Sequence, residues 1–173
     1  NIQESIPALR SEPAEHNRDY MMNQKISAFM RSEGYNQAFN YAFTSDAQEI
    51  SWRGDIAKVK NCGLATDDQA VKIKNPLSED LNVMRRSLSL GLWKNTLENI
   101  RSGNTSGSLF EIGNVFSKKD GEYVESRRIS LVSWGEGLGL YANKAPLIYS
   151  LRSTLEKFFQ SLQISAFSFV NSA

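Results

Sequence analysis

From Asn17 onward, Met22, Ile26, Phe29 and Met30 recur at i, i+4, i+7 and i+8, which puts them on one face of a helix. Gly34 follows at the position of a C-terminal cap. Immediately after it, Phe39, Tyr41 and Phe43 alternate with Asn40 and Ala42, the period of a strand with one buried face. Residues 44–70 carry few apolar side chains among Asp46, Gly54, Asp55, Asn61, Gly63, Asp67 and Asp68, and this predicts a loop-rich excursion with room for one short strand. Val71 and Ile73 alternate with lysines in a short strand that Asn75-Pro76 ends, because proline biases the preceding residue to extended backbone and has no N–H for a ladder. Leu88, Leu92, Leu97 and Ile100 predict a helix of about three turns with Trp93 at its flank, closed by Ser102-Gly103-Asn104. Two longer apolar stretches, 109–116 and 128–134, enclose Lys118-Lys119-Asp120-Gly121, and Asp-Gly favours a tight hairpin turn. Past Pro146, the side chains of Ile148, Leu151, Leu155, Phe158, Phe159 and Leu162 trace a wide helical stripe, and residues 164–170 read as a last strand. Hairpin-paired strands with helices before and after them describe an α+β domain: an antiparallel sheet flanked by helices.

The length of 173 residues holds one such domain, and 40% hydrophobic with 23% charged residues is a globular composition. Residues 1–16 are polar and read as a linker from a preceding domain, with the core domain over 17–173. The apolar stretch running up to Asn171-Ser172-Ala173 predicts a core incomplete at its C-terminus, hence a piece of a longer polypeptide. Twenty basic and nineteen acidic residues leave a net charge of +1, so any contact with RNA has to be local. One cysteine, Cys62, excludes an internal disulfide framework and points to a reducing, cytoplasmic setting. No apolar run approaches the roughly 20 residues that span a bilayer, so no membrane role is expected.

Candidate chemistry is sparse. His16 lies in the polar N-terminal stretch, with no periodic element to hold it as a catalytic base. One histidine and one cysteine cannot supply the four nitrogen or sulfur ligands of an ordinary zinc site. Gly135-Glu136-Gly137-Leu138-Gly139 lacks the Gly-Lys-Ser/Thr ending of a phosphate loop and carries an acid in its middle. Arg53-Gly54-Asp55 and Asn104-Thr105-Ser106 are short matches expected by chance. The basic pairs Arg85-Arg86, Lys118-Lys119 and Arg127-Arg128 have acids such as Glu79, Asp80, Asp120, Glu122 and Glu125 nearby, as on a solvated surface. The residues by themselves nominate no catalytic, cofactor-binding or metal-ligating side chain.

Three motifs in order carry a resemblance: Lys74-Asn75-Pro76-Leu77-Ser78, then Met84-Arg85-Arg86-Ser87-Leu88 opening a helix, then Leu109-Phe110-Glu111-Ile112-Gly113-Asn114-Val115-Phe116. Together with Ile2-Gln3-Glu4-Ser5-Ile6-Pro7 and the corner from Glu33-Gly34-Tyr35 to Phe43, they cover most of the chain. The sequence resembles the core of the β subunit of bacterial phenylalanyl-tRNA synthetase, a class II synthetase fold of antiparallel sheet and flanking helices. In active class II enzymes the strand resembling 110–116 runs on into Arg-x-Glu, the arginine gripping the ATP α-phosphate and the glutamate reading the adenine amino group. Here Ser117-Lys118-Lys119 stands in that place. Serine has neither the charge nor the reach of a guanidinium, and lysine cannot accept a hydrogen bond.

The resemblance therefore implies a non-catalytic core module within an ATP- and magnesium-dependent ligase, supporting the α subunit of an α2β2 assembly that attaches phenylalanine to tRNA(Phe). It places no ATP or magnesium site in this stretch. It also implies that the first long helix meets the α subunit, which would bury Met22, Ile26, Phe29 and Met30 against that partner, although the same stripe could serve only the chain's own core. Two other readings stay open. One is an active nucleotide-binding ligase in which Arg85, Arg86 or Arg128 replaces the phosphate clamp. The other is a free-standing tRNA-binding module.

Overall fold

A computed structural model describes residues 17–56, 69–135 and 147–169. The elements run α1 (Arg18–Ser32), β1 (Asn36–Gln37), β2 (Phe43–Thr44), α2 (Asp46–Ile56), β3 (Val83–Met84), α3 (Ser89–Arg101), β4 (Gly107–Lys119), β5 (Glu122–Trp134) and α4 (Leu147–Ser161).

Local chemistry sets most of these limits. The Asn17 side chain accepts from the backbone N–H groups of Asp19 and Tyr20 at 3.0 and 3.2 Å, satisfying two of the free donors at the start of α1. Helix α1 ends with Tyr35 N–H donating to Met30 O and Gly34 N–H to Arg31 O, around Gly34 at φ +87°. Helix α3 closes in the same manner at Gly103, φ +90°. Helix α4 repeats the pattern without a glycine: Ile164 N–H reaches Phe159 O across Gln163 at φ +61°.

The β4–β5 hairpin is longer than the sequence suggests. It pairs residue for residue from Gly107 opposite Trp134 to Lys119 opposite Glu122. Asp120 and Gly121 both take positive φ, 52° and 90°, as a two-residue turn matching strand twist requires. Strand β1 joins the other side of β4 in parallel, Asn36 opposite Leu109, so the three-stranded sheet is mixed, in the order β1-β4-β5. A second, two-stranded sheet pairs β2 with β3 antiparallel, Phe43 opposite Met84.

Successive side chains of β4 divide the molecule into layers. On one face Phe110 and Ile112, with Ile129 and Leu131 from β5, pack against Met30, Ile26 and Phe29 of α1 and Phe158 and Phe159 of α4. Phe110 and Met30 are fully enclosed. Tyr35 joins this core, its hydroxyl satisfied by Ser133 Oγ at 3.2 Å, and Ser133 in turn bonds Ser108. On the other face Glu111 points towards the entry of α3, where Leu88 and Leu92 are buried and Ser89 meets Ser130.

Four expectations change. The stretch 39–43 keeps its alternation with the faces reversed: Phe39 and Tyr41 are 83% and 84% exposed, while Asn40 turns inward. Only Phe43 belongs to a strand. Within 44–70 the chain forms helix α2, whose first N–H, that of Asp46, is capped by the Asn82 side chain at 2.9 Å. Around 71–74 the expected strand reduces to one antiparallel bridge, Lys72 with Val83. Residues 164–169 form no strand. Phe167 packs on Phe159 at 4.9 Å between ring centroids, and Phe169 lies under the Arg152 guanidinium at 4.9 Å, contacts made by side chains without a ladder partner.

Gln163 sits in the left-handed region that a Cβ disfavours. Gln163→Gly is expected to raise stability by about 0.5–1 kcal/mol, since relief of that strain outweighs the added freedom of the unfolded chain. The check is a thermal melt, in which an unchanged or lowered midpoint would contradict the account.

Candidate functional site

The motifs singled out in the sequence meet at one place. Strand β3 ends at Met84, and the next residue sends its guanidinium across β4. Arg85 Nη1 donates to Glu111 Oε1 at 2.6 Å and to Asn40 O at 3.2 Å, and Nε donates to Asn114 O at 3.0 Å. Its backbone is fixed as well, N–H to Ala42 O at 2.8 Å and O from Phe116 N–H at 2.9 Å. The other oxygen of Glu111 accepts from Asn40 Nδ2 at 2.8 Å. Both members are nearly enclosed, Arg85 at 11% and Glu111 at 2% side-chain exposure.

Arg86 makes the companion pair. Its Nε donates to Glu49 Oε2 at 3.1 Å, and Glu49, 1% exposed, stands in the first turn of α2. Two adjacent arginines thus bind two different elements, one to β4 and one to α2. Charges this buried are sustained only when paired and hydrogen-bonded, and here each carboxylate collects several donors.

Two glycines make room for the arrangement. A Cβ at Gly113 would overlap the Arg85 guanidinium, so the Glu-Ile-Gly order supplies the acceptor and, two residues on, the bare backbone on the same face that lets the arginine pass. A Cβ at Gly91 would stand 2.9 Å from the Asn40 carboxamide, so α3 approaches the 38–42 segment closely only without a side chain there. At the helix entry the Ser87 hydroxyl accepts from Ser89 N–H at 3.1 Å.

Beyond this cluster, Ser117 and Lys119 lie at the far end of β4, opposite Val124 and Glu122. Lys118 bridges to Gln69 and holds its ammonium 5.6 Å from the centre of the Tyr123 ring. Arg127 donates to the Asn23 side chain of α1 at 3.1 Å, and Arg128 is exposed on β5. The three basic pairs therefore have different fates, and only Arg85-Arg86 is built into the interior. Among the described residues no three histidine, cysteine, aspartate or glutamate side chains group as metal ligands, and no helix is long and apolar enough to cross a membrane. His16, Cys62, the glycine run at 136–139 and the expected linker 1–16 lie outside the described residues.

The four residues of the α1 stripe separate. Met30 is completely buried in the chain's own core, Ile26 and Phe29 pack against that core, and Met22 is 48% exposed. Beside Met22, Tyr20 and Met21 are also open to solvent. Sequence reasoning missed Asn40 and Glu49. The inward turn of Asn40 was hidden by its aromatic neighbours, and no local pattern shows that Glu49 will meet Arg86.

The family model described as the phenylalanyl tRNA synthetase beta chain CLM domain matches residues 2–173. The chain belongs to that family. The phenylalanine–tRNA ligase beta subunit of Bdellovibrio bacteriovorus is 38% identical over the whole chain, which covers 22% of that protein. The one from Fusobacterium nucleatum is 28% identical over 97% of the chain and 20% of its own length. The chain thus spans about a fifth of these β subunits. Among solved structures, the pyrrolysyl-tRNA synthetase PylSc of Desulfitobacterium hafniense superposes with a TM-score of 0.62 at 15% identity, covering 90% of this chain and 49% of that one. A histidine–tRNA ligase subunit from Alicyclobacillus acidocaldarius gives 0.62 at 10% identity, covering 94% and 43%. The fold is that of class II aminoacyl-tRNA synthetases, and the α+β architecture expected from the sequence is present.

For the β-chain family member described here, the ion pairs make an energetic prediction. Glu111→Gln leaves a buried guanidinium without its counter-charge and is expected to cost about 3–5 kcal/mol. Glu156→Gln, which breaks the exposed Arg152–Glu156 pair on α4, is expected to cost less than about 0.5 kcal/mol. Urea denaturation of both variants measures the contrast, and equal losses would refute the structural weight given to Glu111.

Proposed function

We propose that this chain is a non-catalytic core module of a phenylalanyl-tRNA synthetase β subunit, which supports an α subunit in the ATP- and magnesium-dependent attachment of phenylalanine to tRNA(Phe). One observation carries this reading: the guanidinium groups of the helix-entry motif are bound by buried carboxylates, and the resemblance sets Ser117 and Lys119 where active class II enzymes hold arginine and glutamate. An arginine that clamps a phosphate must present free N–H groups to it. Arg85 spends Nε and Nη1 on Glu111, Asn40 and Asn114. The same pairing disfavours Arg85 and Arg86 as the clamp of an active ligase, whereas Arg128, the third candidate, is exposed on β5 and is not held by it. A net charge of +1 disfavours a free-standing tRNA-binding module.

The partner reading is supported by large side chains that the chain leaves open. Tyr20, Met21 and Met22 on α1 are 60%, 53% and 48% exposed, and Phe39, Tyr41 and Phe43 face outward beside β1. Exposed aromatic and methionine side chains are the residues that interfaces concentrate. With Met30, Ile26 and Phe29 committed to the core, the α1 contribution to an α-subunit contact falls to Met22 and its exposed neighbours.

Full-length β subunit carrying Met21→Asp and Met22→Asp is expected to lose affinity for the α subunit by roughly tenfold or more while keeping its circular dichroism and melting temperature, because both positions are open. Size-exclusion co-elution and calorimetric titration measure it, and undiminished binding would remove α1 from the interface. In parallel, ATP with magnesium is expected to give no saturable binding to the chain itself. Micromolar affinity would favour the ligase reading instead.

A further inference from the structure

Beside the tip of the β4–β5 hairpin lies a cavity of about 520 Å³, and its wall includes Lys72, Lys118, Arg86, Asp46 and Tyr123. Two backbone bridges bring the lysines to it: Gln69 pairs with Lys118, and three residues further on Lys72 pairs with Val83. Among the described residues neither ammonium has a carboxylate within ion-pair distance. Lys118 rests against the ring of its cross-strand neighbour Tyr123, 5.6 Å from the centre, and Tyr123 is itself 74% exposed. Arg86 differs from the lysines, because Glu49 holds its Nε. Asp46 is the one acid of the wall. It opens α2, where the free N–H groups of the first turn offset a negative charge, and it pairs with neither lysine. Two ammonium groups that share a hollow without counter-charges raise its potential, and a concave wall concentrates that field on an entering anion.

We infer that this cavity holds a backbone phosphate of the tRNA, with Lys72 and Lys118 as its cationic partners and an adjacent base stacked on Tyr123. The inference rests on the reading above, in which the assembly acts on tRNA(Phe), and adds a contact made by this chain itself. The cavity falls within the roughly 300–1,000 Å³ of sites that take small ligands, room for a phosphate and its sugar. The donor type favours phosphate over the carboxylate of an acidic protein segment. A planar carboxylate is gripped best by a guanidinium fork, and the guanidinium in this wall is already engaged by Glu49, whereas an ammonium is a point charge that takes a phosphate oxygen from any direction. An open aromatic ring beside basic side chains is also the pairing that holds flexible nucleic acid, the cations on the backbone and the ring on a base. With a net charge of +1 the chain has no general attraction for RNA, so an RNA contact has to be made by a local cluster such as this one.

The experiment measures tRNA(Phe) binding to the assembled complex of α subunit and full-length β subunit across a series of salt concentrations. Removing both charges with Lys72→Gln and Lys118→Gln is expected to weaken binding about fivefold to thirtyfold at low salt. The slope of log affinity against log salt is expected to become shallower by about 1 to 2, since up to two phosphate contacts no longer release counterions. Tyr123→Leu is expected to weaken binding about fivefold with the salt slope unchanged, and Tyr123→Phe to stay within about twofold of wild type, because stacking needs the ring and carries no charge. Lys157→Gln on α4, far along the chain from the cavity, removes the same kind of charge and is expected to change neither quantity. Assembly mass and melting temperature are expected to match wild type in every variant. If the double lysine variant binds tRNA(Phe) with wild-type affinity and slope, the inference is overturned while the synthetase reading stands. Loss of α-subunit association with tRNA affinity intact would give the cavity to an acidic protein segment and overturn it equally. If the wild-type complex does not bind tRNA(Phe), the synthetase reading and the inference fall together.

Discussion

Everything around the helix-entry motif depends on one guanidinium crossing one glycine. Arg85 reaches Glu111 over the bare backbone of Gly113, and along the way its N–H groups collect Asn40 O and Asn114 O. Three segments distant in sequence, 38–42, 83–86 and 111–116, are thereby held in one register. Hydrophobic burial could press these segments together, but it is non-directional and would not choose which backbone carbonyl faces which strand. The ion pair does. Its geometry also explains why the 39–43 stretch shows its polar residues to the interior: Asn40 has to face Glu111, so the pleat sends Phe39 and Tyr41 outward.

Arg86 extends the same logic to α2. That helix has almost no signature of its own, since its cap comes from Asn82 and Glu49 is buried against Arg86, both more than 30 residues away. Trp52 adds a ring contact with Trp93 of α3 at 6.1 Å. A helix held by remote partners needs neither a local cap nor a strong apolar stripe, and its segment accordingly reads as loop. By contrast α1, α3, α4 and the hairpin were legible because their information is local: Asn17 as cap, glycine at two helix ends, Asp120-Gly121 at the turn, and apolar side chains at helical spacing. The parallel pairing of β1 with β4 was not legible, because direction within a sheet is set by how the connecting chain is routed and not by the strand's own period. Residues 164–169 show the reverse error. Alternation was present, but a strand exists only as part of a ladder, and here the phenylalanines found aromatic partners instead.

The candidate site was legible as motifs and illegible as geometry. Arg85, Arg86, Glu111 and Gly113 all stood out in the sequence, yet nothing in their spacing shows that the arginines are bonded inward. The interface stripe shows the same limit. Amphipathicity identifies the buried face of a helix without saying what covers it. In α1 the cover is Phe110 and Phe158 for Met30, and only the end of the stripe at Met22 is left open.

The distinction between a structural and a catalytic arginine comes down to what the guanidinium would have to give up. A phosphate taking the Nε–Nη1 edge of Arg85 would displace a carboxylate at 2.6 Å and a carbonyl at 3.0 Å. Releasing them would strand Glu111, 2% exposed, without its counter-charge, a loss of several kcal/mol before any phosphate contact forms. An active site avoids that loss by keeping its arginine short of acceptors until substrate arrives, which is a form of stored instability. In this chain Arg85 has no such shortage, since its Nε and Nη1 already have acceptors.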